Sequence, residues 1–111
     1  MKTRSAKNKG KRLQNTVRDI LLETFKEDLE PDDVKSAVMG DSGEDIQLSP
    51  AARKIIPYSI ECKNQEKLNI WGALEQAEKN SGDSNPVLIF KRNRSKTYAV
   101  LEIEDFIKLI K

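Results

Sequence analysis

The amino-acid sequence predicts an α/β domain of three layers, an α/β/α core in which helices cover both faces of a mixed central sheet. Periodic segments follow the order helix, strands, helix, strands, helix along the 111 residues. Loops between these segments are short, as a compact domain requires. Apolar residues make up 37% of the chain and charged residues 34%, which is typical of a soluble globular domain with one modest core.

Three helices are predicted from apolar residues that recur with the helical period. They span residues 11–25, 66–80 and 104–111. Leu13, Val17 and Leu21 mark one face of the first helix, and Ala73 and Ala77 allow the second to pack closely on a sheet. The last helix is expected to direct three apolar side chains inward, namely Phe106, Ile107 and Ile110.

Five strands are predicted between and after the first two helices. They span residues 34–39, 45–48, 58–63, 87–91 and 97–101. Gly40 and Gly43 indicate a turn between the first two, and the NRS turn joins the last two as a hairpin. The connection over residues 51–56 fits either one helical turn or a loop.

The charges are sorted along the chain, although the net charge is only +2. Residues 1–18 hold seven Lys or Arg and no acid, whereas residues 19–45 hold ten acids and two bases. A second basic cluster, KRNRSK, spans residues 91–96. Such clusters suit a phosphate backbone, but a solvated tail and a charged hairpin tip would have the same composition.

Candidate DNA-binding residues come from these basic segments and from two loops. The loops are the turn before Asp45 and the connection after residue 50. The candidates are Lys7, Lys9, Lys11, Arg12, Ser42, Arg53, Lys91, Arg92 and Arg94. Residues 1–9 are predicted to be a flexible basic tail, followed by a single domain over residues 10–111. Ser42 equally suits a turn.

Several classes of function are excluded by composition. The chain has no histidine and one cysteine, so it has no internal disulfide, no Ser-His-Asp or Cys-His catalysis, and no plausible zinc site. Any enzyme chemistry then depends on carboxylates, lysines, hydroxyls or a hard metal ion such as magnesium or manganese. No apolar run is long enough for a membrane span, and no apolar region follows the basic N-terminus as in a signal peptide. A single cysteine is consistent with a reducing cytoplasm.

The strand over residues 58–63 carries two opposite charges where an apolar strand is expected. Side chains alternate across a strand, so Glu61 and Lys63 point to one face and Ile60 and Cys62 to the other. Asp45 begins a strand sixteen residues earlier, and antiparallel pairing of the two strands would place it beside Glu61. In isolation, Glu61 and Lys63 would also fit a cross-strand ion pair on a solvated face.

Two neighbouring carboxylates resist joint ionisation, and a divalent cation removes that penalty. The backbone carbonyl of Cys62 would be a third oxygen ligand beside Asp45 and Glu61. Lys63 would orient a water or stabilise negative charge. This is the set of groups needed for metal-assisted phosphodiester hydrolysis. Asn64 and Gln76 are further candidates near this site, although Asn64 equally fits the end of the strand and Gln76 equally fits a surface cap.

Asp45 followed by Glu61-Cys62-Lys63 resembles the D…(D/E)-x-K signature of the PD-(D/E)XK nuclease superfamily. Similarity to its small Holliday-junction-resolvase-like members, in particular a phage-encoded branch, extends over the chain from residue 9. The shared segments are Lys9-Gly10-Lys11, Gly43-Glu44-Asp45-Ile46, Ile60-Glu61-Cys62-Lys63 and Glu75-Gln76. The resemblance implies a restriction-endonuclease-like fold and a magnesium-dependent endonuclease, with manganese able to substitute. It also implies branched DNA as substrate rather than a small molecule, a homodimer with two active sites, and a location in the host cytoplasm.

One position departs from that resemblance. Junction-resolving relatives usually carry a glutamate in the first helix, where this chain has Gln14. Glu23 is no substitute, because nine residues at 100° each place it on the opposite side of the helix. A glutamine carbonyl can still assist as a metal ligand, so Gln14 is retained as a candidate catalytic residue.

Two other functions are compatible with the same residues. One is a nuclease that acts on flaps, single strands or nicked duplex, since the active-site residues do not distinguish these substrates. The other is a DNA-binding accessory protein on a degenerate nuclease fold, with Gln14 as the sign of lost catalysis. Trp71 is predicted to lie in the core or in a dimer contact rather than to stack on a base.

Overall fold

The computed structural model describes residues 2–38 and 43–111 of the chain. The helices are α1 (Lys2–Thr24), α2 (Pro50–Ile55), α3 (Ile70–Asn80) and α4 (Ile103–Ile110), with a 3-10 turn at Pro31–Asp33. The strands are β1 (Val34–Ser36), β2 (Ile46–Leu48), β3 (Tyr58–Asn64), β4 (Asn85–Lys91) and β5 (Tyr98–Leu101). No helix in this described part is long and apolar enough to cross a membrane.

The strands form a three-stranded mixed sheet and a two-stranded ribbon. In the sheet, β3 pairs with β4 in parallel and β4 pairs with β5 antiparallel, so the predicted hairpin of the last two strands is confirmed. The ribbon consists of β1 and β2, which run antiparallel. Asp45 joins the two, because its N–H donates to Ile60 O at 3.0 Å and its carbonyl accepts from Ala37 N–H at 2.9 Å.

Helices cover both faces of this mixed sheet, which confirms the predicted α/β class. On one face α1 packs against β1 and β3, and on the other α3 packs against β3 and β4. Leu13 and Val17 of α1 are buried with Val34, Ile46 and other apolar residues in the main core. The small buried residues of α3, Ala73 and Ala77, allow that helix to approach β4 closely.

Element boundaries differ from the predicted ones where capping or charge decides them. The predicted tail over residues 1–9 takes helical form from Lys2 onward, because Lys, Arg and Ala favour a helix even without an apolar face. Ser49 accepts a hydrogen bond from Ala52 N–H, so the connection after it is a capped helix rather than a loop. Asn69 caps α3 in the same way and delays its start to Ile70.

The orientation of α4 differs from the prediction. Phe106, Ile107 and Ile110, which were expected to point inward, are exposed, and Asp105 is buried instead. Trp71 is 78% exposed and is therefore not a core residue. Periodicity shows that a helix has an apolar face, but it does not show which surface of the fold is available to cover that face.

Candidate active site

Asp45 is fixed to the edge of β3 by backbone and side chain together. In addition to the bond from its N–H to Ile60, its Oδ2 accepts a hydrogen bond from Cys62 N–H at 2.7 Å. The carboxylate therefore lies against the backbone segment that carries Glu61. The sequence predicted this proximity through antiparallel pairing of two strands. In the structure β2 pairs with β1, and the backbone N–H of Asp45, just before β2, donates to Ile60 of β3.

Glu61 is buried at the centre of β3, on the side of the sheet that faces α3. Asn80 at the end of α3 donates from Nδ2 to Glu61 Oε1 at 3.3 Å. Lys63 lies on the same side of the strand, and its Nζ is 3.9 Å from Glu61 Oε2. The two oxygens of Glu61 thus face different groups, an amide on one side and an ammonium on the other.

Helix α1 supplies the opposite wall of a shallow pocket of about 240 Å³ that contains Asp45, Glu61, Cys62 and Lys63. The residues of α1 that line it recur at helical spacing, and three of them are Lys7, Gly10 and Gln14. The structure therefore brings together all the residues predicted to form the catalytic site. Gln76 and Asn64, the two further candidates, line the same pocket, Gln76 with an exposed side chain.

Gln14 has a feature that its neighbours in α1 lack. Its side chain is 6% exposed, and Oε1 has no hydrogen-bond partner among the described residues. A buried carbonyl without a donor costs free energy, so such atoms usually have a partner. Asn64 Oδ1 is in the same situation, although Asn64 Nδ2 donates to Lys9 O at 3.3 Å. The pocket therefore contains two neutral oxygens, Gln14 Oε1 and Asn64 Oδ1, that accept no hydrogen bond from the described residues.

The electrostatics of the two carboxyl groups also favour a cation. Burial raises the pKa of Asp45, and the Cys62 N–H and the charge of Lys63 oppose that rise. Burial is likewise the main cause of the raised pKa of Glu61, and the charge of Asp45 raises it further. Burial also raises the pKa of the Cys62 thiol, which therefore stays neutral and unreactive. Two carboxylates that are costly to ionise together become stable when a positive ion lies between them.

The donor set fits a hard divalent cation such as magnesium. Asp45 and Glu61 would supply two carboxylates, and Gln14 a neutral oxygen. The N–H and C=O of one strand residue point to the same edge, so the Cys62 carbonyl faces the side on which Asp45 lies. Across residues 2–38 and 43–111, no three His, Cys, Asp or Glu side chains are grouped to hold a metal. A metal here would therefore depend on the neutral oxygens in addition to the two acids.

The predicted DNA-binding residues divide into two groups by their contacts. Three of them are engaged within the fold. Lys11 Nζ donates to Ala37 O at 2.9 Å, Lys9 Nζ is 3.7 Å from Glu66 Oε2, and Arg53 binds Glu44 and the carbonyl of Tyr58.

The remaining predicted DNA-binding residues are near the pocket, exposed, or outside the described part. Lys7 lines the pocket, and Arg12 is exposed on α1. The KRNRSK hairpin lies at the same end of the sheet as Lys63, because Lys91 pairs with Asn64 and Glu66 accepts from Asn93 N–H. Arg92 and Arg94 are exposed at its tip. Ser42 lies outside the described residues.

Asn80 is the site residue that the sequence analysis missed. It lies four residues after Gln76, and residues at that spacing share one face of a helix. Extending the face that carries Gln76 by one turn would have identified it. Nothing in the sequence, however, indicates how close the end of α3 comes to Glu61.

Comparison with known proteins identifies a family for this chain. The family model described as "Phage putative PDDEXK endonuclease" matches residues 5–111, which is almost the whole chain. The match includes every residue of the pocket described above. No curated protein and no solved structure matches the chain significantly.

Proposed function

We propose, because this chain belongs to the phage family of PD-(D/E)XK endonucleases, that it is a magnesium-dependent enzyme that hydrolyses phosphodiester bonds in branched DNA. One observation supports the catalytic part of this proposal above all others. Asp45, Glu61, Lys63 and the unpartnered oxygen of Gln14 meet in one pocket, although they come from three separate elements. A degenerate fold that only bound DNA would have no reason to keep a buried glutamate, Glu61, whose pKa is raised by burial and by the neighbouring charge of Asp45.

The roles of the residues follow from their contacts. Asp45 and Glu61 would hold the metal with Gln14 and the Cys62 carbonyl, and manganese is expected to substitute. When bound, a divalent ion lowers the pKa of water and stabilises the charge that develops on the phosphate. The hydrogen bonds from Cys62 and Asn80 fix the two carboxylates in advance, so little reorganisation is needed when the substrate arrives.

Lys63 is the cationic residue that lies beside Glu61 in the pocket. Its ammonium stays close to Glu61 Oε2 and is half-buried at the mouth of the pocket. In that position it orients the attacking water and stabilises negative charge on a phosphate oxygen. As water attacks phosphorus, the bond from phosphorus to the leaving oxygen breaks, and negative charge accumulates beside this ammonium.

Exposed basic residues of α1 and of the hairpin would hold the DNA backbone. Lys7 and Arg12 on α1 and the hairpin residues Arg92 and Arg94 are the exposed candidates. Contacts of this kind position a phosphate backbone without reading its sequence, which suits an enzyme that recognises branch shape. Resolution of a four-way junction needs two symmetric cuts, so we infer a homodimer. Its site of action would be the cytoplasm of the phage's host cell.

The decisive experiment is cleavage of a labelled four-way DNA junction, with duplex, flap and single-stranded controls, in magnesium or EDTA. The wild-type chain is compared with Glu61→Gln, which keeps the size and the hydrogen-bond acceptor of the side chain. Symmetric, metal-dependent junction cuts that disappear in the variant are the expected result. Cleavage confined to flaps, single strands or nicked duplex would show that this DNA, and not the junction, is the substrate. Tight junction binding without cleavage in magnesium or manganese would show an accessory protein instead of an enzyme.

A further inference from the structure

Helix α4 lies with its polar side toward the rest of the protein. Within α4, which is described in full, Asp105 alone is buried, at 7% exposure. A groove of about 830 Å³ separates the helix from α3, and Glu104, Asp105 and Lys108 line it. This is the reverse of the usual arrangement, in which a surface helix directs its apolar face to the core.

The outward side of α4 is an apolar stripe made of Ile103, Phe106, Ile107 and Ile110. Their spacing of three, four and seven residues from Ile103 places them on one face of the helix. Ile103 and Ile110, at the two ends, are 66% and 67% exposed. Four large apolar side chains in one exposed row form a patch of the kind that marks an interaction site. We call this row the α4 stripe.

The charges beside the α4 stripe are self-complementary. Glu104 lies on one flank of the stripe near the beginning of the helix, and Lys111, seven residues later, lies on the same flank at its end. A second copy of α4 that runs antiparallel across the stripe would bring each acidic end next to a basic end. A two-fold axis perpendicular to a helix produces this antiparallel arrangement, in which the same patch serves both subunits. A parallel arrangement would instead oppose acid to acid and base to base.

We propose that the α4 stripe is the homodimer interface of this protein, with the two-fold axis passing between Phe106 and Ile107. This identifies the surface of the homodimer that was inferred above from the proposed function. The α4 groove and the catalytic pocket share no lining residue, and α4 follows β5, the edge of the sheet opposite β3. Pairing through α4 therefore leaves both catalytic pockets open to DNA.

The first test is the mass of the full chain in solution, measured by sedimentation equilibrium for wild type, Ile107→Glu and Ile20→Glu. Ile20 is a matched control, because it is also an isoleucine on a helix and is 58% exposed, but it lies on α1. The wild type and Ile20→Glu are expected to be dimers and Ile107→Glu a monomer, with the same circular dichroism spectrum for all three. A monomeric wild type, or a folded Ile107→Glu that remains dimeric, would overturn the proposal.

The antiparallel arrangement is tested by charge exchange. Glu104→Lys and Lys111→Glu each place like charges across the proposed axis, so each is expected to raise the dimer dissociation constant. The double variant restores opposite charges and is expected to bring that constant back toward the wild-type value. If the dissociation constant of the double variant is raised by the combined effects of the two single variants, antiparallel pairing is contradicted.

A cysteine at the axis gives a test that requires no loss of structure. Ile107→Cys should form a disulfide-linked dimer under mild oxidation, because the two copies of that residue face each other. Ile20→Cys should not, and the native Cys62 is buried and does not compete. Absence of the cross-link in a dimeric Ile107→Cys protein would place the interface elsewhere. None of these measurements depends on cleavage, so they test the interface whether or not the protein is a nuclease. They can equally be made on the Glu61→Gln variant.

Discussion

Asp45 Oδ2 accepts a hydrogen bond from the backbone N–H of Cys62 at 2.7 Å, across a separation of seventeen residues. This contact ties the carboxylate to the strand that carries Glu61 and Lys63. The backbone of a strand is rigid, so this hydrogen bond holds the Asp45 carboxylate in a fixed position beside β3. Four expected outcomes follow from this site and its surroundings.

Glu61→Gln is expected to stabilise the metal-free protein by on the order of 1 kcal/mol while it abolishes cleavage, a trade-off common at active sites. The pKa of Glu61 is raised above its ordinary value of 4.5, so in the pH window above that value the folded state binds more protons than the unfolded chain. The free energy of unfolding of the wild type therefore falls as the pH rises through this window. The variant has no ionisable group at this position, so it lacks this pH-dependent loss of stability. Thermal unfolding in EDTA at several pH values measures it. A variant that is less stable than wild type at neutral pH would contradict the account.

Gln14→Glu is expected to strengthen magnesium binding by about tenfold, because a third carboxylate adds to the charge of the ligand set. The same substitution should destabilise the metal-free protein, since it places another negative charge beside Asp45 and Glu61. Gln14→Ala should weaken binding. Calorimetric titration with magnesium measures the affinity, and Thr16→Glu on the exposed side of α1 is the charge-matched control. Equal affinity for wild type and both Gln14 variants would exclude this side chain from the metal site.

Asn80→Ala is expected to lower the cleavage rate by about 10 to 100-fold and to raise the magnesium concentration needed for half-maximal activity. The reason is that Glu61 Oε1 loses its donor and its fixed orientation, an effect typical of groups that orient a metal ligand. Calorimetric titration with magnesium should show the same loss of affinity without DNA. The exposed Asn85→Ala in β4 is the control amide. Unchanged metal dependence in Asn80→Ala would limit this residue to a structural role.

Two arginines that the sequence treats alike are expected to respond differently. Arg53 binds Glu44 and the carbonyl of Tyr58, so Arg53→Ala should lower stability by about 1–3 kcal/mol and affect DNA binding little. Arg94 is exposed and has a φ of 63°, in the region that favours glycine. Arg94→Gly should therefore keep stability but weaken DNA binding, and it should reduce the slope of log affinity against log salt by about 1. Titrations of fluorescent DNA at several salt concentrations decide this, and an unchanged slope would remove Arg94 from the DNA-binding surface.

Much of the site could be predicted from sequence because local rules apply to it. The alternation of side chains along one strand places Glu61 and Lys63 together and opposite Ile60 and Cys62. Helical spacing likewise places Gln14 on the side of α1 that packs inward. The fold class followed from the order of periodic segments. In each case, the decisive interaction is between residues a few positions apart, so the pattern itself contains the geometry.

The tertiary structure decided which separate segments meet. The sequence does not encode in any local pattern that Asp45 bonds to Cys62, that Asn80 reaches Glu61, or that Arg53 is engaged by Glu44. It also predicted the amphipathic character of α4 but assigned the apolar side to the core. Whether an apolar face is buried depends on the area that the rest of the chain offers to it, and α4 turns its polar side to the fold. The sequence by itself determined the elements and the chemistry they carry, whereas packing between distant elements determined which groups became neighbours.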